Sequence, residues 1–465
     1  MRTSTIAAIA TPPGSGGIGI IKISGPRAIS IADALFRRSG TPKAARGRPY
    51  RSHQLYHGTI VDPQSGETVD EVLLSVMRAP HSYTREDVVE INSHSGGLLL
   101  QRILKLVLDR GARPAAPGEF TLRAFISGRI DLTQAEAVAD LINARSESAL
   151  KVAAAQLGGE MGRRVGGLRD SVENALSMMY ACMDFGDENE LDDPMREGLL
   201  LLSENVLPAL EKLLRRYEER RYLRTGIRVV IAGRPNVGKS TLMNRLVGHD
   251  RAIVTPVPGT TRDLIDHPFI LKGVCVILVD TAGIRRSEDP VERIGIQRAR
   301  EAIRDADLVL ALFDASSELT EEDRQLIDMV RSNGPAILVF NKSDLPPGEA
   351  EAQMEKAAPR LRRVAVSALY EKGLEELKEA ILKAVVGERD VNSGSRLIPN
   401  VRQAKALEAA RQAIERALAA AQEERWVETI VQELEEALDR LGEITGKNRS
   451  EALLEQVFNQ FCIGK

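Results

Sequence analysis

A phosphate-binding loop is the first group of residues in this sequence whose types and spacing could do chemistry. Residues Gly233 to Ser240 match the pattern G-x-x-x-x-G-K-[ST]. Glycines let backbone N–H groups turn toward a phosphate, and the N-terminus of a following helix adds positive potential. Lys239 would reach the β- and γ-phosphates of a nucleotide, and the Ser240 hydroxyl would bind Mg²⁺. An ordinary glycine-rich strand-to-helix turn is the alternative, and the motifs that follow make it improbable.

Four further motifs follow the loop in a fixed order: Thr255–Asp263, Asp280–Gly283, Asn341–Asp344 and Ser367–Ala368. Asp280-Thr-Ala-Gly283 would place a carboxylate on Mg²⁺ through water and a backbone N–H near the γ-phosphate. In Asn341-Lys-Ser-Asp344, the Asp344 carboxylate would accept two hydrogen bonds from guanine, whose donor pair adenine lacks. A lone N-K-x-D pattern is weak, but the ordered set predicts a GTPase domain. The predicted GTP-binding residues are Asn236, Val237, Gly238, Lys239, Ser240, Thr241, Thr255, Pro256, Val257, Pro258, Gly259, Thr260, Thr261, Asp280, Thr281, Ala282, Gly283, Asn341, Lys342, Asp344, Ser367 and Ala368.

Two features narrow the chemistry of hydrolysis. Ile284 follows Gly283, where many signalling GTPases have a glutamine that orients water, so hydrolysis must recruit another group. The Asn236 amide, together with carbonyls of residues 255–260, could hold a monovalent cation that does the work of an arginine finger. Bracing of the loop by Asn236 is an equally supported alternative. Thr261 is the natural second hydroxyl ligand for Mg²⁺.

These motifs lie at the ends of predicted strands. The strands are Arg228–Ala232, Val274–Asp280, Leu308–Asp314, Ala336–Asn341 and Arg363–Ser367. They alternate with helical stretches, which predicts a mainly parallel sheet with helices on both faces. We expect this nucleotide domain to span residues 225–388.

The segments before and after that domain have different sequence patterns. Residues 1–120 predict a small α+β domain with strands Ile18–Ile23, Glu71–Met77 and Asp87–Ile91 and a helix Leu98–Leu108. Helical patterns cover 121–224, where Thr133 and Glu136 suggest a capping box and residues 197–222 one helix. Helical patterns return in 389–465, over residues 400–424, 427–440 and 450–461. The expected fold class is therefore multidomain α/β, with one discontinuous helical domain; two independent helical domains are the alternative.

Composition sets outer limits on function. The 465 residues carry a net charge of −3, which argues against a strongly basic nucleic-acid clamp but not against a local basic patch. Three cysteines without a C-x-x-C pair predict neither a disulfide framework nor a zinc site, and so a reducing, cytoplasmic location. No run approaches about 18 apolar residues, so no membrane span is expected.

The sequence resembles the MnmE family of tRNA modification GTPases, also called TrmE. The resemblance covers essentially the whole chain. It rests on Ala10–Gly14, Gly16–Gly19, Ala116–Phe120, Arg129–Glu136, the motifs within 233–263 and the final stretch Phe461–Lys465. It implies a homodimer built through the N-terminal domains, with a tetrahydrofolate derivative bound there. It also implies a partner, the FAD- and NADH-using protein MnmG, with which an aminomethyl-type group is added at C5 of the wobble uridine of certain tRNAs.

The resemblance also implies roles for particular residues. K⁺, which would stimulate hydrolysis, is assigned to Asn236, Thr255, Val257 and Thr260, and Mg²⁺ to Ser240 and Thr261. Glu292 matches the glutamate that orients the attacking water; an exposed helix carboxylate is the alternative. Lys239, Thr261 and Cys462 complete the implied catalytic set, and Cys462 has simple packing as its alternative.

Four residues match the family's folate-contacting positions: Lys22, Glu90, Arg129 and Lys465. The family often has arginine where this chain has Lys22 and lysine where it has Arg129. Charge is kept in both exchanges, but arginine presents a planar fork and lysine a point charge, so the geometry of carboxylate recognition differs. A surface salt bridge is the alternative role for each basic residue.

Two other functions fit parts of the sequence. A ribosome-assembly GTPase would use the same nucleotide domain as a binding switch, but it has no evident need for residues 11–19 and 461–465. A folate-dependent one-carbon enzyme regulated by its GTPase would bind folate without a tRNA product. The whole set of motifs favours the tRNA modification GTPase.

Overall fold

A computed structural model describes residues 4–14, 16–40, 50–184, 192–248, 266–280, 300–332, 334–387, 396–448, 451–459, 461 and 464–465. These residues fold as two compact units. The first comprises Met1–Ala139, Gln156–Leu207 and Ala409–Lys465, and the second Asp140–Ala155 and Pro208–Glu408. No helix among the described residues combines the length and apolar character needed to cross a membrane.

The first unit contains a seven-stranded sheet. Its strands are β1 (Ile6–Ile9), β2 (Gly16–Ser24), β3 (Phe36–Arg38), β4 (Gln54–Val61), β5 (Thr68–Met77), β6 (Val88–Ser95) and β7 (Arg113–Pro114). The spatial order is β3-β4-β5-β6-β2-β1-β7, and only the β1–β7 pair is parallel. Buried and exposed residues alternate along β5, as expected for a sheet with one covered face.

Helices α1 (Ala28–Leu35) and α2 (Gly97–Asp109) cover the buried face of this sheet. Their apolar residues Ile31 and Ile103 pack in one core with Ile21, Leu74 and Ile91 of the strands. Helix α3 (Glu119–Ile126) follows β7. The prediction of an α+β domain with a helix near 98–108 agrees with these elements, whereas β1, β3, β4, β7 and α1 were not predicted.

The chain continues as a series of helices. They are α4 (Leu132–Asn143), α5 (Glu147–Leu157), α6 (Glu160–Asp184), α7 (Asp192–Leu201), α8 (Leu207–Arg220) and α9 (Tyr222–Thr225). Near the C-terminus come α14 (Val401–Gln422), α15 (Val427–Thr445) and α16 (Glu451–Phe458). In the first unit α6 packs against α15, where the Tyr180 hydroxyl donates to the Glu435 carboxylate at 2.6 Å.

The predicted cap of α4 is wrong by two residues. The N–H of Gln134 donates to Asp131 Oδ1 at 2.8 Å, and the Asp131 N–H donates to Gln134 Oε1 at 3.0 Å. This reciprocal pair is a capping box formed by Asp131 and Gln134. Thr133 is buried and donates its own hydroxyl to Asp131. A carboxylate is the stronger acceptor, which explains why Asp131 and not Thr133 begins the helix.

The single helix predicted over residues 197–222 is also wrong. A π-helical turn, Leu202–Val206, lies between α7 and α8, and a separate short helix begins at Tyr222. Pro208 has no N–H to donate to the carbonyl four residues earlier, which favours a locally widened turn just before it.

The second unit contains a six-stranded sheet. Its strands are β8 (Ile227–Ala232), β9 (Asp266–Leu271), β10 (Val274–Asp280), β11 (Leu308–Asp314), β12 (Ala336–Asn341) and β13 (Arg362–Ala365), in the order β13-β12-β11-β8-β10-β9. All described neighbours pair in parallel except β9 and β10. Its helices are α10 (Lys239–Gly248), α11 (Glu321–Ser332), α12 (Ala350–Ala357) and α13 (Leu374–Val386).

Both faces of this sheet are covered. Leu310 of β11 packs in a core with α10 and α13 residues such as Leu242 and Leu377. Its neighbour Ala311 packs on the other face, in a core that contains Ile327 of α11 and Met354 of α12. The continuous apolar run of β11 follows from this double burial. The predicted parallel sheet with helices on both faces is therefore confirmed.

Candidate functional site

The phosphate-binding loop joins the carboxyl end of β8 to the start of α10. Asn236 and Gly238 have left-handed backbone conformations, with φ of 63° and 98°. A Cβ atom placed on Gly238 would lie 2.2 Å from Asn341 Nδ2, and one on Gly233 would lie 2.5 Å from the Leu312 carbonyl oxygen. A side chain at Gly238 would collide with Asn341 of β12, and one at Gly233 with Leu312 of β11. Both positions therefore require glycine.

Lys239 is held inside this loop. Its ammonium donates to the carbonyl oxygens of Gly233 at 2.8 Å and Arg234 at 2.7 Å, and the residue is 7% exposed. Asn236, Ser240 and the neighbouring Thr241 are exposed. The loop thus holds a buried positive charge while its hydroxyl groups face solvent, an arrangement that fits phosphate together with a hydroxyl-bound Mg²⁺.

Asn341 joins two of the predicted motifs. Its Nδ2 donates to the Val237 carbonyl at 2.8 Å, and its Oδ1 accepts from the Ala368 N–H at 3.0 Å. The side chain is 3% exposed. The structure therefore brings the N-K-x-D motif, the phosphate loop and the Ser367–Ala368 segment together at one edge of the sheet.

Asp344 lies beside Ser367, whose hydroxyl donates to Asp344 Oδ1 at 2.5 Å. Asp344 is exposed and Ser367 is buried. A hydroxyl that donates to one carboxylate oxygen fixes the orientation of the group and leaves the other oxygen directed elsewhere. This geometry is compatible with an Asp344 carboxylate that accepts from a guanine edge.

Sequence reasoning missed Asp314, the last residue of β11. Lys342 has φ of 64°, and its ammonium lies 2.6 Å from Asp314 Oδ2. Burial alone would raise the pKa of Asp314, but hydrogen bonds from Lys342 and Ser316 hold it below the ordinary value. Asp314 is level with Asn341 in the sheet. Asp314 could have been predicted from the sequence, because it is an acidic residue at the end of an apolar strand.

Asp280 ends β10 and is level with Ile231 of β8. Several predicted site residues lie outside the described residues: Thr255, Pro256, Val257, Pro258, Gly259, Thr260, Thr261, Thr281, Ala282, Gly283, Glu292 and Cys462. The residues that are described and that could hold Mg²⁺ are Ser240 and, through water, Asp280; for a monovalent cation, Asn236 is described.

A second group of predicted residues meets in the first unit. Lys22 and Glu90 face each other across β2 and β6, with Nζ and Oε1 3.5 Å apart. Lys22 Nζ also lies 5.2 Å from the ring centroid of Tyr83 and 5.4 Å from that of Phe120. Arg129 stacks on the same tyrosine, with Cζ 4.8 Å from the ring centroid, and donates to the Tyr83 carbonyl at 3.1 Å.

The C-terminus reaches this group as well. The Phe120 N–H donates to the Lys465 carbonyl oxygen at 3.2 Å. Gly464 has φ of 97°, and a Cβ atom there would lie 2.6 Å from the Ile9 carbonyl oxygen. Burial lowers the pKa of Lys22, and the positive charges of Lys465 and Arg129 add to this, while Glu90 opposes it. All four predicted folate residues are therefore neighbours.

Tyr83 and Phe120 were not predicted as site residues. Both flank Lys22, and the Tyr83 hydroxyl is within 3.0 Å of Thr121 Oγ1. Three cations, one carboxylate and two aromatic rings suit a flat ligand with an amine-bearing edge and an anionic tail. Tyr83 could have been considered from the sequence, because it is an aromatic residue in the segment between two predicted strands.

The ordered motifs and the two-sided parallel sheet define the class: the chain is a P-loop GTPase. Two family models cover most of its length. The model described as MnmE helical domain matches residues 132–462, and the model described as GTP-binding protein TrmE N-terminus matches residues 5–129. The chain belongs to the MnmE family, also called TrmE.

Individual relatives agree over the whole length. A protein from Moorella thermoacetica named tRNA modification GTPase MnmE is 46% identical over 469 residues, covering 100% of both chains. One of the same name from Syntrophobacter fumaroxidans is 45% identical over 467 residues, covering 99% of this chain and 98% of that protein. Among solved structures, Era from Aquifex aeolicus bound to GDP and AlF4⁻ is 29% identical, covers 40% of this chain and 66% of its own, and has a TM-score of 0.29.

Proposed function

We propose that this chain is a GTP-hydrolysing tRNA modification protein. It acts with an FAD-dependent partner of the MnmG kind to add an aminomethyl or carboxymethylaminomethyl group at C5 of the wobble uridine of certain tRNAs. A 5-formyl- or 5,10-methylene-tetrahydrofolate carries the one-carbon unit. The full-length similarity to proteins named tRNA modification GTPase MnmE supports the substrate class.

The observation that carries the folate part of the proposal is the meeting of Lys22, Glu90, Arg129 and Lys465 around two aromatic rings. These residues come from four distant parts of the sequence. The Lys22, Arg129 and Lys465 charges would bind the glutamate tail, and Glu90 would accept from the pterin amine edge. Such a pocket has no evident use in a GTPase that acts only as a binding switch.

In the nucleotide site, Lys239 balances charge on the β- and γ-phosphates and Asp344 selects guanine. Ser240 and Thr261 would hold Mg²⁺, and Asn236, Thr255, Val257 and Thr260 would hold K⁺; both ions would supply further positive charge at the phosphates. Glu292 orients the attacking water. Asn341 keeps the phosphate loop and the Ala368 segment in register.

The proposal extends to organisation. The domains are residues 1–120 for folate binding and homodimerisation, 121–224 and 389–465 for the helical part, and 225–388 for GTP hydrolysis. The protein works in the cytoplasm. On the family resemblance, Cys462 takes part in the modification chemistry.

Reconstitution of the reaction tests the proposal. The purified chain is mixed with tRNA, the FAD-dependent partner, GTP, NADH and the folate carrier, and wobble nucleosides are measured by mass spectrometry. Lys22→Met should abolish the product and leave GTP hydrolysis intact. Lys105→Met, an exposed lysine of α2 in the same unit, is the matched control and should keep both. Wild-type protein that hydrolyses GTP but leaves the uridine unmodified would favour a ribosome-assembly switch.

A further inference from the structure

A strongly basic stretch of the first unit has no role in the sites described above. Residues 34–61 contain six lysines and arginines and no aspartate or glutamate, in a chain whose net charge is −3. The stretch includes β3 and β4, which form one edge of the seven-stranded sheet. Lys43, Arg46 and Arg48 fall outside the described residues and are not part of the surface proposed below.

Two described arginines of this stretch, Arg38 and Arg51, contact Tyr56. The Arg38 guanidinium stacks on the Tyr56 ring, with Cζ 4.6 Å from the ring centroid. The Arg51 N–H donates to the Tyr56 hydroxyl at 2.5 Å, so both arginines belong to one local structure. Tyr56 is itself buried. Tyr56 therefore holds the Arg38 guanidinium and the Arg51 backbone in place.

A second tyrosine extends the group to Arg78 of the segment after β5. The rings of Tyr50 and Tyr56 meet edge to face, with centroids 5.1 Å apart. The Tyr50 carbonyl accepts from Arg78 Nε at 3.1 Å. We name these five residues the Arg–Tyr cluster: Arg38, Tyr50, Arg51, Tyr56 and Arg78.

The guanidinium groups of the cluster face no carboxylate in the part of the chain that the structure describes. One carboxylate touches the cluster, Asp33, and it accepts from the Tyr50 hydroxyl at 3.0 Å. Arg38 and Arg51 are exposed. Elsewhere in the described chain, exposed arginines such as Arg102 and Arg425 are paired with glutamates at 2.6 and 2.7 Å. The cluster thus offers positive charge without a described carboxylate partner, and the Arg38 and Arg78 guanidinium groups are held by the two tyrosines.

We propose that the Arg–Tyr cluster is a contact surface for the phosphate backbone of tRNA, an inference that rests on the proposed function. Guanidinium groups bind phosphate through paired N–H donors, and stacking on an aromatic ring holds them ready for this. Because Tyr56 is buried under Arg38, it is closed to base stacking. The surface therefore reads charge and position along the backbone and does not read base sequence.

The test measures binding of fluorescently labelled tRNA to the full-length protein across a salt series. The double variant Arg38→Gln with Arg51→Gln removes two phosphate contacts. It should weaken binding about tenfold or more at low salt and make the slope of log K against log salt shallower by about 1.4 to 1.8, at about 0.7 to 0.9 per contact. The variant with lysine at both positions should keep the wild-type slope, because each charge is retained.

Arg102→Gln with Arg425→Gln is the matched control, since it removes the same formal charge at exposed sites where each arginine has a glutamate partner. It should keep the wild-type affinity and slope. Thermal unfolding and GTP turnover without tRNA should be the same in all variants, which separates a folding defect from a binding defect.

Three results would overturn the inference: a wild-type slope in the Arg38 and Arg51 variant, an equal loss in the control, or loss of binding to phosphatidylglycerol vesicles with tRNA binding intact. The last result would assign the surface to anionic lipid. Failure of the proposed function would give a different result from failure of this inference, because in that case the wild-type protein would itself not bind or modify tRNA.

Discussion

Asn341 uses both ends of its amide inside the protein. One end donates to Val237 and the other accepts from the Ala368 N–H. The N-K-x-D pattern was enough to place this residue in a nucleotide site. These two hydrogen bonds of Asn341 could not be predicted, because they require the fold to bring residues 237 and 368 to opposite sides of its side chain.

Asp344 offers the sharpest test at the scale of a residue. Asp344→Asn replaces a carboxylate acceptor with an amide that also donates, so the guanine edge loses one or both of its acceptors. Selectivity for GTP over ATP should fall by about two orders of magnitude or more, as expected when a site loses a designed hydrogen-bond partner. Competition binding with the two nucleotides measures the ratio. Unchanged discrimination would remove Asp344 from the guanine site.

The four residues predicted to contact folate were taken from the family resemblance, and the structure makes them neighbours. The aromatic walls Tyr83 and Phe120 could not be assigned in that way. A lone aromatic residue is more often core than ligand contact, and only the positions of Lys22 and Arg129 around the Tyr83 ring distinguish the two.

At the scale of elements, prediction succeeded where burial is complete. The strands β8, β10, β11 and β12 are continuous apolar runs covered on both faces, so their ends were predicted within a residue. Strand β9 contains Pro268, and β4 mixes Gln54 and His57 with apolar residues, so neither gave a clear pattern. Strand β9 is an edge strand and β4 is buried on one face only, so both have a weaker apolar pattern in the sequence.

The cap of α4 gives a prediction that separates the two candidate residues. Asp131→Ala should lower the free energy of unfolding by about 1 kcal/mol, because the Gln134 N–H loses its acceptor. Thr133→Val keeps size and burial and leaves that hydrogen bond intact, so it is the matched control. Denaturant unfolding measures both. A larger loss for the Thr133 variant would restore the cap expected from sequence.

The docking of the C-terminal segment depends on Gly464. Gly464→Ala would place a Cβ atom against the Ile9 carbonyl in a left-handed conformation that alanine rarely adopts. Lys465 should leave the pocket, so tetrahydrofolate binding should weaken at least tenfold while GTP turnover stays unchanged. Isothermal titration with the folate carrier measures the first and phosphate release the second. Gly40→Ala, with φ of 69° and open space around it, is the control.

At the scale of the whole molecule, composition concealed an uneven distribution of charge. The net charge of −3 left room for a local basic patch, and four of the five residues of the Arg–Tyr cluster lie in a stretch of 28 residues without an acid. Which basic residues lack acidic partners depends on the fold, so the sequence could not identify the surface. The family resemblance covered the whole chain and was confirmed by both domain models.

The compact units could not be anticipated in detail from sequence. Residues 140–155 and 208–224 read as parts of a helical domain, yet Val152 and Tyr222 pack in the same core as Val229 of β8. Helical periodicity indicates that one face of a helix is buried, but it does not indicate which element covers that face. The folded chain is needed to decide which sheet or helix covers that face.

The most direct test of the account is GTP hydrolysis by the purified protein in KCl and in NaCl at equal ionic strength. Association of nucleotide domains is followed in parallel in the GDP–aluminium-fluoride state. We predict strong K⁺ dependence with association, and loss of both in Asn236→Ala, because the Asn236 amide is a proposed K⁺ ligand. Equal rates in the two salts, with no association, would contradict a cation-assisted mechanism and return the chain to the class of simple GTPase switches.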